Sequence, residues 1–140
     1  YGDHKPWLGD NSVTYDELGI NLDRSTTEGF KNYYSTRYLI WANDAAKEVC
    51  DNEFIGSGPD ISPCYLMNVL FSQLGWDGPA YMKFMNDAQS ALPVINTSGF
   101  YLVDGEVTDS ISGSLLDQKQ TIDNVQYYMR RNFKFSEVAS

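Results

Sequence analysis

The only histidine of the chain lies within its first four residues, directly after a glycine and an aspartate. The Asp3 carboxylate offers a hard anionic oxygen and the neutral His4 imidazole a nitrogen, a ligand pair that suits Mn²⁺ or Zn²⁺. Neighbouring side chains of a regular strand point to opposite faces, but a turn eased by Gly2 lets both approach one ion. The pair therefore predicts a divalent-cation site, although the dipeptide alone also fits a solvated terminal pair.

Four segments carry a wider resemblance. Residues 1–9 read YGDHKPWLG, which resembles the GDH-x-P-x-L-G segment of the lipoteichoic acid synthase and phosphoglycerol transferase family, in the alkaline phosphatase–sulfatase superfamily. The segments YLIWAN at 38–43, GPDISP at 58–63 and the stretch 79–101 resemble three later segments of that family, in the same order. Arg37 stands where the family commonly has proline, and Cys64 where it commonly has threonine.

The resemblance implies that residues 1–140 are a single α/β piece from the C-terminal part of a sulfatase-like catalytic domain. In that family the Asp–His pair supplies two ligands to a catalytic divalent cation, usually Mn²⁺, with Zn²⁺ and Mg²⁺ as alternatives. This assigns metal binding to Asp3 and His4. The nucleophilic threonine and the other ligands lie upstream in the family, so we expect no catalytic nucleophile in this chain. By itself it should be inactive and bind the cation weakly or not at all.

The implied reaction is transfer of a phosphoryl-containing group from a polar lipid head group at the bacterial cell envelope. A metal-activated threonine would attack phosphorus, and an acceptor hydroxyl or water would resolve the covalent intermediate. The resemblance implies a parent protein anchored in the cytoplasmic membrane with this domain outside it, whose remaining part is the chain's main partner. Substrate-binding residues stay unassigned. Two alternatives remain open: a sulfatase or phosphatase of the same superfamily, and a non-catalytic acidic extracellular interaction module.

Composition limits the partners. Apolar residues make up 42% of the chain and aromatic residues 14%, which excludes a disordered chain. Nineteen Asp and Glu against ten Lys and Arg give a formal net charge of −9. Because such a chain repels phosphate backbones and has no basic cluster, we expect no nucleic-acid partner.

The two cysteines, Cys50 and Cys64, flank the flexible stretch at 56–58. Their spacing fits no zinc pattern. It leaves two interpretations open, a disulfide between them or two buried free thiols.

The apolar run at 38–42 predicts a strand buried on both faces, inside a mixed sheet. A chain that contains this strand without its neighbours should self-associate. Thr14 with Glu17 and Ser25 with Glu28 predict capped short helices, and a further short helix is expected at 45–50.

Residues typical of helix ends predict three helices in the second half of the chain. Ser62 and Pro63 predict a helix start and Gly75 its end. A second helix should follow Pro79 and end before position 93. Asp104-Gly105 predicts a terminal hairpin. A long helix is expected after the hairpin, at 114–131. Its inward face is predicted to be formed by Leu115, Ile122, Val125 and Met129. Four aromatic residues are predicted to pack this helix on the sheet: Tyr127, Tyr128, Phe133 and Phe135.

Overall fold

The computed structural model describes residues 2, 4–8 and 13–132. These residues form two compact units. The first unit contains the described residues up to 57 together with 104–107, and the second contains residues 58–103 and those from 108 onward. Helices combined with a small β-sheet confirm the coarse α/β prediction.

The first unit contains three short helices, α1 (Val13–Glu17), α2 (Thr27–Tyr34) and α3 (Asp44–Cys50). The predicted cap of α2 is wrong by one residue, because Thr26 rather than Ser25 accepts the hydrogen bond from the Gly29 N–H at 3.0 Å. Ser25 is already engaged, since its N–H and its hydroxyl both bond the Asp23 carboxylate. The local turn therefore takes Ser25 away from the helix.

The predicted capping box at Thr14 is also wrong. Thr14 is the second residue of α1 instead of the residue before it. Its hydroxyl donates to the Leu8 carbonyl at 2.7 Å, so the side chain satisfies a preceding loop rather than the helix N-terminus.

The apolar run at 38–42 is not part of any strand in the described chain, so the predicted strand buried on both faces is wrong. Leu39 and Trp41 are exposed, whereas Tyr38 and Ile40 are half-buried. Asn43 ends the run as predicted, because its side chain caps α3 by accepting from the Ala46 N–H at 2.9 Å. The helix expected at 45–50 is confirmed as α3.

The second unit begins with a 3₁₀ turn (Pro63–Tyr65) that continues into α4 (Leu66–Gln73). Pro63 opens the turn as predicted, but Ser62 does not cap it. The Ser62 hydroxyl instead donates to the Ile95 carbonyl at 2.9 Å and accepts from the Ile95 N–H at 2.7 Å. Gly75 ends the helix as predicted, in the left-handed conformation at φ 64°.

Helices α5 (Ala80–Ala91) and α6 (Ser114–Asn132) confirm the two longer helices expected from the sequence. Helix α5 packs against α4, the 3₁₀ turn and α6. Tyr65, Met85, Ala88 and Ile122 form a cluster of buried side chains in this unit, and Leu92 is fully buried as well. Burial of such side chains is the main favourable contribution to the stability of this unit.

The inward face predicted for α6 is partly right. Ile122 is buried and Leu115 and Val125 are half-buried, but Met129 is exposed. Tyr127 and Tyr128 are exposed as well, so their predicted packing on the sheet is wrong. Near Tyr127, the Arg131 guanidinium lies 5.6 Å from the ring centroid and its Nη1 donates to the phenolic oxygen. The other two aromatic residues of that prediction, at 133 and 135, lie outside the described residues.

The sheet has three short strands in the order β1 (Val94–Ile95), β2 (Tyr101–Val103) and β3 (Glu106–Thr108). β1 pairs antiparallel with β2, so the mixed sheet expected from the sequence is wrong for the part of the chain that the structure describes. The hairpin prediction is confirmed. Asp104 and Gly105 both have positive φ, 51° and 85°, as a two-residue turn of type I′ requires.

Cys50 and Cys64 are both free thiols in the structure. Of the two interpretations of the cysteine pair, the structure therefore shows the one without the disulfide. Cys50 is half-buried and Cys64 is exposed, so the expectation that both are buried is wrong.

Candidate functional site

The sequence places the candidate metal ligands at the start of the first unit. His4 is exposed, and its Nδ1 lies 2.8 Å from the Lys5 carbonyl oxygen. Because a carbonyl can only accept, Nδ1 carries the proton, and in the neutral ring the lone pair is then on Nε2. A backbone carbonyl that fixes the tautomer in this way is typical of histidines that bind metals through Nε2. Asp3 lies outside the described residues.

The backbone of Gly2 is held through both its N–H and its carbonyl. Its N–H donates to the Arg37 carbonyl at 3.1 Å, and its carbonyl accepts the Thr36 hydroxyl at 2.6 Å. A Cβ added at Gly2 would lie 3.3 Å from the Thr36 Cβ, so a side chain at this position would be tight. The contacts bring together two segments that are 34 residues apart in the sequence, and the later of them leads directly into the apolar run at 38–42.

The described residues alone do not complete a metal site. Among residues 2, 4–8 and 13–132, no group of three or more His, Cys, Asp or Glu side chains is arranged to hold an ion. A stable protein site usually needs at least three ligands. The described residues therefore supply fewer ligands than such a site needs.

Several threonine hydroxyls of the described chain form structural hydrogen bonds. Thr26 caps α2, Thr36 holds Gly2, and Thr121 donates to the Asp117 carbonyl one turn earlier in α6. Thr27 donates to the Glu106 carboxylate at 3.1 Å, which joins α2 to the tip of the hairpin. In each of these bonds the hydroxyl serves backbone or surface structure.

A concave surface at the end of α3 was not predicted from the sequence. It encloses about 450 Å³ and is lined by acidic, amide and lysine side chains: Asp44, Lys47, Glu48, Asp51, Asn52 and Glu53. Lys47 and Glu53 form an exposed ion pair at 3.8 Å. The recurrence of carboxylates along 44–53 is the sequence signal that would have indicated it. Lys47 offsets part of the negative charge of these carboxylates, and the concave surface is open to solvent. The concave surface therefore fits a solvated acidic surface.

Three adjacent ionisable groups in the second unit favour their neutral forms. Burial raises the pKa of the Tyr65 and Tyr81 hydroxyls, and desolvation around the sulfur raises the pKa of the Cys64 thiol although the residue as a whole is exposed. The Tyr65 hydroxyl is buried with no hydrogen-bond partner among the described residues. A thiol with a raised pKa is less often present as the nucleophilic thiolate near neutral pH, so the direction of this shift gives no support for Cys64 as a nucleophile.

No family model, curated protein or solved structure matches this chain. Within the described residues, no helix combines the length and the apolar character needed to cross a bilayer.

The incomplete donor set leads to a prediction about metal binding. We expect the 140-residue chain to bind Mn²⁺ with a dissociation constant weaker than about 100 micromolar, because two ligands hold an ion poorly. Isothermal calorimetry would measure this, with His4→Ala expected to remove the residual heat. Sub-micromolar affinity at one site per chain that persists in His4→Ala would show that a different ligand set exists.

Proposed function

We propose that this chain is the C-terminal part of the catalytic domain of a bacterial metal-dependent phosphoglycerol transferase of the sulfatase superfamily. The sequence support is the order of the four segments that resemble that family. The structural observation that carries the proposal is the bonding of Gly2 to Thr36 and Arg37. It brings the backbone just before the Asp3–His4 pair against the backbone that leads into the second of the four segments.

In this proposal Asp3 and His4 each supply one ligand to a divalent cation, with Mn²⁺ favoured. The Lys5 carbonyl holds the His4 ring in the tautomer whose Nε2 can ligate. Thr36 and Arg37 hold the Gly2 backbone and so limit the positions available to the two ligands. When bound, the cation would lower the pKa of a nucleophilic hydroxyl and offset the charge of the transferred group. That hydroxyl, the other ligands and the substrate pocket belong to upstream sequence.

The proposed substrate is a phospholipid or another lipid-linked glycerophosphate on the outer side of the cytoplasmic membrane. Upstream membrane helices would anchor the longer protein there. A net charge of −9 repels an anionic lipid surface. A bound cation and a membrane anchor would each offset this repulsion, and the proposal contains both.

The non-catalytic interaction module remains the second candidate, because the first unit exposes the large apolar side chains of Leu39 and Trp41. The encoding gene distinguishes the two. A reading frame that continues upstream through membrane helices and a sulfatase-like domain supports the transferase. A secretion signal just before Tyr1 supports the module.

The test of the proposed function uses both the longer gene product and the 140-residue chain. We expect the longer protein to hydrolyse or transfer from a chromogenic glycerophosphodiester in Mn²⁺, and we expect His4→Ala to lower that activity at least about 100-fold because a ligand is lost. Glu53→Gln, an exposed carboxylate change in the same unit, is the matched control and should leave the activity unchanged. The chain alone should show no turnover.

Two results would contradict the proposal. One is turnover by the 140-residue chain that His4→Ala abolishes, because this chain would then contain its own nucleophile. The other is full activity of the longer protein carrying His4→Ala, because His4 would then have no part in the reaction.

A further inference from the structure

We propose that two copies of this chain associate through the outer face of α4, antiparallel about a two-fold axis that passes between Leu70 and Phe71. The face consists of Met67, Leu70, Phe71 and Leu74, and we call it the α4 stripe. These residues follow the spacing i, i+3, i+4 and i+7, which lies along one side of a helix. Leu74 belongs to the stripe because its backbone is still helical where α4 ends.

The other side of α4 is the one that faces α5. Its two buried residues are Asn68 and Val69. At about 100° per residue, both lie on the side of the helix away from the stripe. The Asn68 Nδ2 donates to the Met82 carbonyl at 2.8 Å and to the Asn86 Oδ1 at 2.6 Å. Helix α4 therefore buries a hydrogen-bonded amide against α5 and presents its apolar stripe outward.

The α4 stripe is large and accessible. Met67 is 46% exposed and Leu74 is 38% exposed, while Leu70 and Phe71 are half-buried. Trp76, 57% exposed, extends the stripe: its N–H donates to the Phe71 carbonyl at 2.9 Å, and the two ring centroids are 4.4 Å apart. A helix that is apolar on both sides is typical of one that is covered on both sides. A contiguous apolar surface of this kind marks an interaction site.

The distribution of charge points to a second copy as the occupant. Residues 61–76 contain no Asp, Glu, Lys, Arg or His, although the chain has a net charge of −9. Two copies therefore meet through this face without like charges in contact. The nearest charges along the sequence are Asp60 and Asp77, both acidic, so an anionic lipid surface would be repelled. An antiparallel pair instead brings Asp77 towards residue 64 of the other copy, at the positive end of the helix dipole.

The symmetry of the stripe selects the antiparallel arrangement. About an axis between Leu70 and Phe71, Met67 lies opposite Leu74 of the other copy and Leu70 lies opposite Phe71. Every stripe residue then meets another stripe residue, as a two-fold interface requires. The rows 67–71 and 70–74 are ridges of the kind that fit the grooves of a facing helix. A parallel pair would align the two helix dipoles unfavourably and place Asp77 beside its own copy.

The expected association is weak. Covering the exposed parts of the stripe and Trp76 on both copies removes on the order of 800 Å² of accessible surface, below the roughly 1,200 Å² at which stable interfaces begin. We therefore expect a dissociation constant on the order of tens of micromolar. The pairing does not rest on the proposed phosphoester chemistry, and its test involves no catalysis.

Sedimentation velocity of the 140-residue chain from about 5 to about 300 micromolar brackets the expected constant. We expect a monomer–dimer equilibrium that Met67→Glu weakens at least about tenfold, because a carboxylate from each copy would be buried among apolar side chains. Leu116→Glu is the matched control, since Leu116 is 40% exposed in the first turn of α6 in the same unit and the change in net charge is identical. Equal weakening by both variants, a monomer at every concentration, or growth beyond the dimer would overturn the proposal.

Two further measurements separate a second copy from other occupants of the stripe. The longer gene product should show the same equilibrium and the same response to Met67→Glu. If that protein is monomeric at every concentration, upstream residues cover the stripe and the proposal is wrong. Flotation with uncharged phosphatidylcholine vesicles should show no binding of the 140-residue chain. Vesicle binding that Met67→Glu abolishes would assign the stripe to a lipid surface and would likewise overturn the proposal.

Cysteine cross-linking tests the register. In a Cys50→Ser, Cys64→Ser background, equal amounts of Met67→Cys and Leu74→Cys are mixed with a short bismaleimide. We expect the two variants to link to each other faster than either links to itself. In the antiparallel pair positions 67 and 74 are opposed, whereas identical positions are seven residues apart, about 10 Å along the helix. Faster linkage of either variant to itself would overturn the antiparallel arrangement.

Discussion

Replacing Gly29 with alanine should destabilise the first unit by about 3 kcal/mol or more, at the upper end of what overpacking does to a buried site. Gly29 is buried in the first turn of α2. A Cβ there would lie 2.0 Å from the Asp23 carbonyl oxygen, and 2.6 Å and 2.7 Å from the Asp23 carbonyl carbon and nitrogen. All three are backbone atoms, so no side-chain rotation relieves the clash, and the turn has to move away from the helix.

The Asp23 turn cannot move without losing the cap of α2. Thr26 donates from its N–H and its hydroxyl to the Asp23 carbonyl, and it accepts from the Gly29 N–H. Displacing Asp23 therefore breaks the bonds that position the capping side chain, and loss of such a cap by itself costs about 1 kcal/mol. Hydrogen exchange across α2 and urea unfolding would measure the combined effect.

Gly19→Ala is the matched control for Gly29→Ala. Gly19 has φ 69° and nothing within 4 Å of an added Cβ, so the same substitution meets only the backbone penalty of about 1 kcal/mol. A Gly29→Ala protein that loses no more stability than Gly19→Ala would show that the Asp23 backbone does not lie against Gly29.

Ile122→Ala should destabilise the second unit by about 3 kcal/mol, within the range measured for large-to-small changes in cores. Ile122 is 2% exposed and packs with Tyr65, Met85 and Ala88 at the contact between α6 and the rest of the unit. Truncation removes apolar burial and leaves a cavity that close-packed neighbours fill only in part. Urea unfolding followed by circular dichroism would give the loss, and hydrogen exchange would locate it in α5 and α6.

Leu116→Ala lies on the same helix at a position that is 40% exposed. It should cost less than about 1 kcal/mol, because less surface returns to water and no cavity forms. If the two variants lose the same stability, the buried face of α6 is not the one centred on Ile122.

Local chemistry explains what was predictable in the fold. Pro63 and Gly75 mark the ends of the first long helical segment through the missing N–H of proline and the tolerance of glycine for positive φ. Asp104 and Gly105 form the hairpin turn because both residues adopt the positive φ that the turn requires. Each of these signals acts within a few residues of its position, so no knowledge of distant neighbours is needed to read it.

The candidate site was less predictable than the fold around it. Sequence placed Asp3 and His4 together through a resemblance, and that assignment stays a prediction. The Lys5 carbonyl that selects the His4 tautomer follows it directly, but the 2.8 Å contact depends on a local chain bend that the residue types do not specify. The contact of Gly2 with Thr36 joins residues 34 apart and has no local signal.

By itself the sequence determined the acidic character of the chain, the approximate bounds of its longer helices and the hairpin turn. Only the tertiary structure decided that Ser62 bonds Ile95 instead of capping a helix, that Gly29 must lack a side chain beside Asp23, and that the run at 38–42 has a covered face and an exposed one. The reason is the range of the forces involved. Dihedral preferences and helix caps act between residues that are close in the sequence. The free energy of burial instead depends on which sequence-distant residues pack against a side chain.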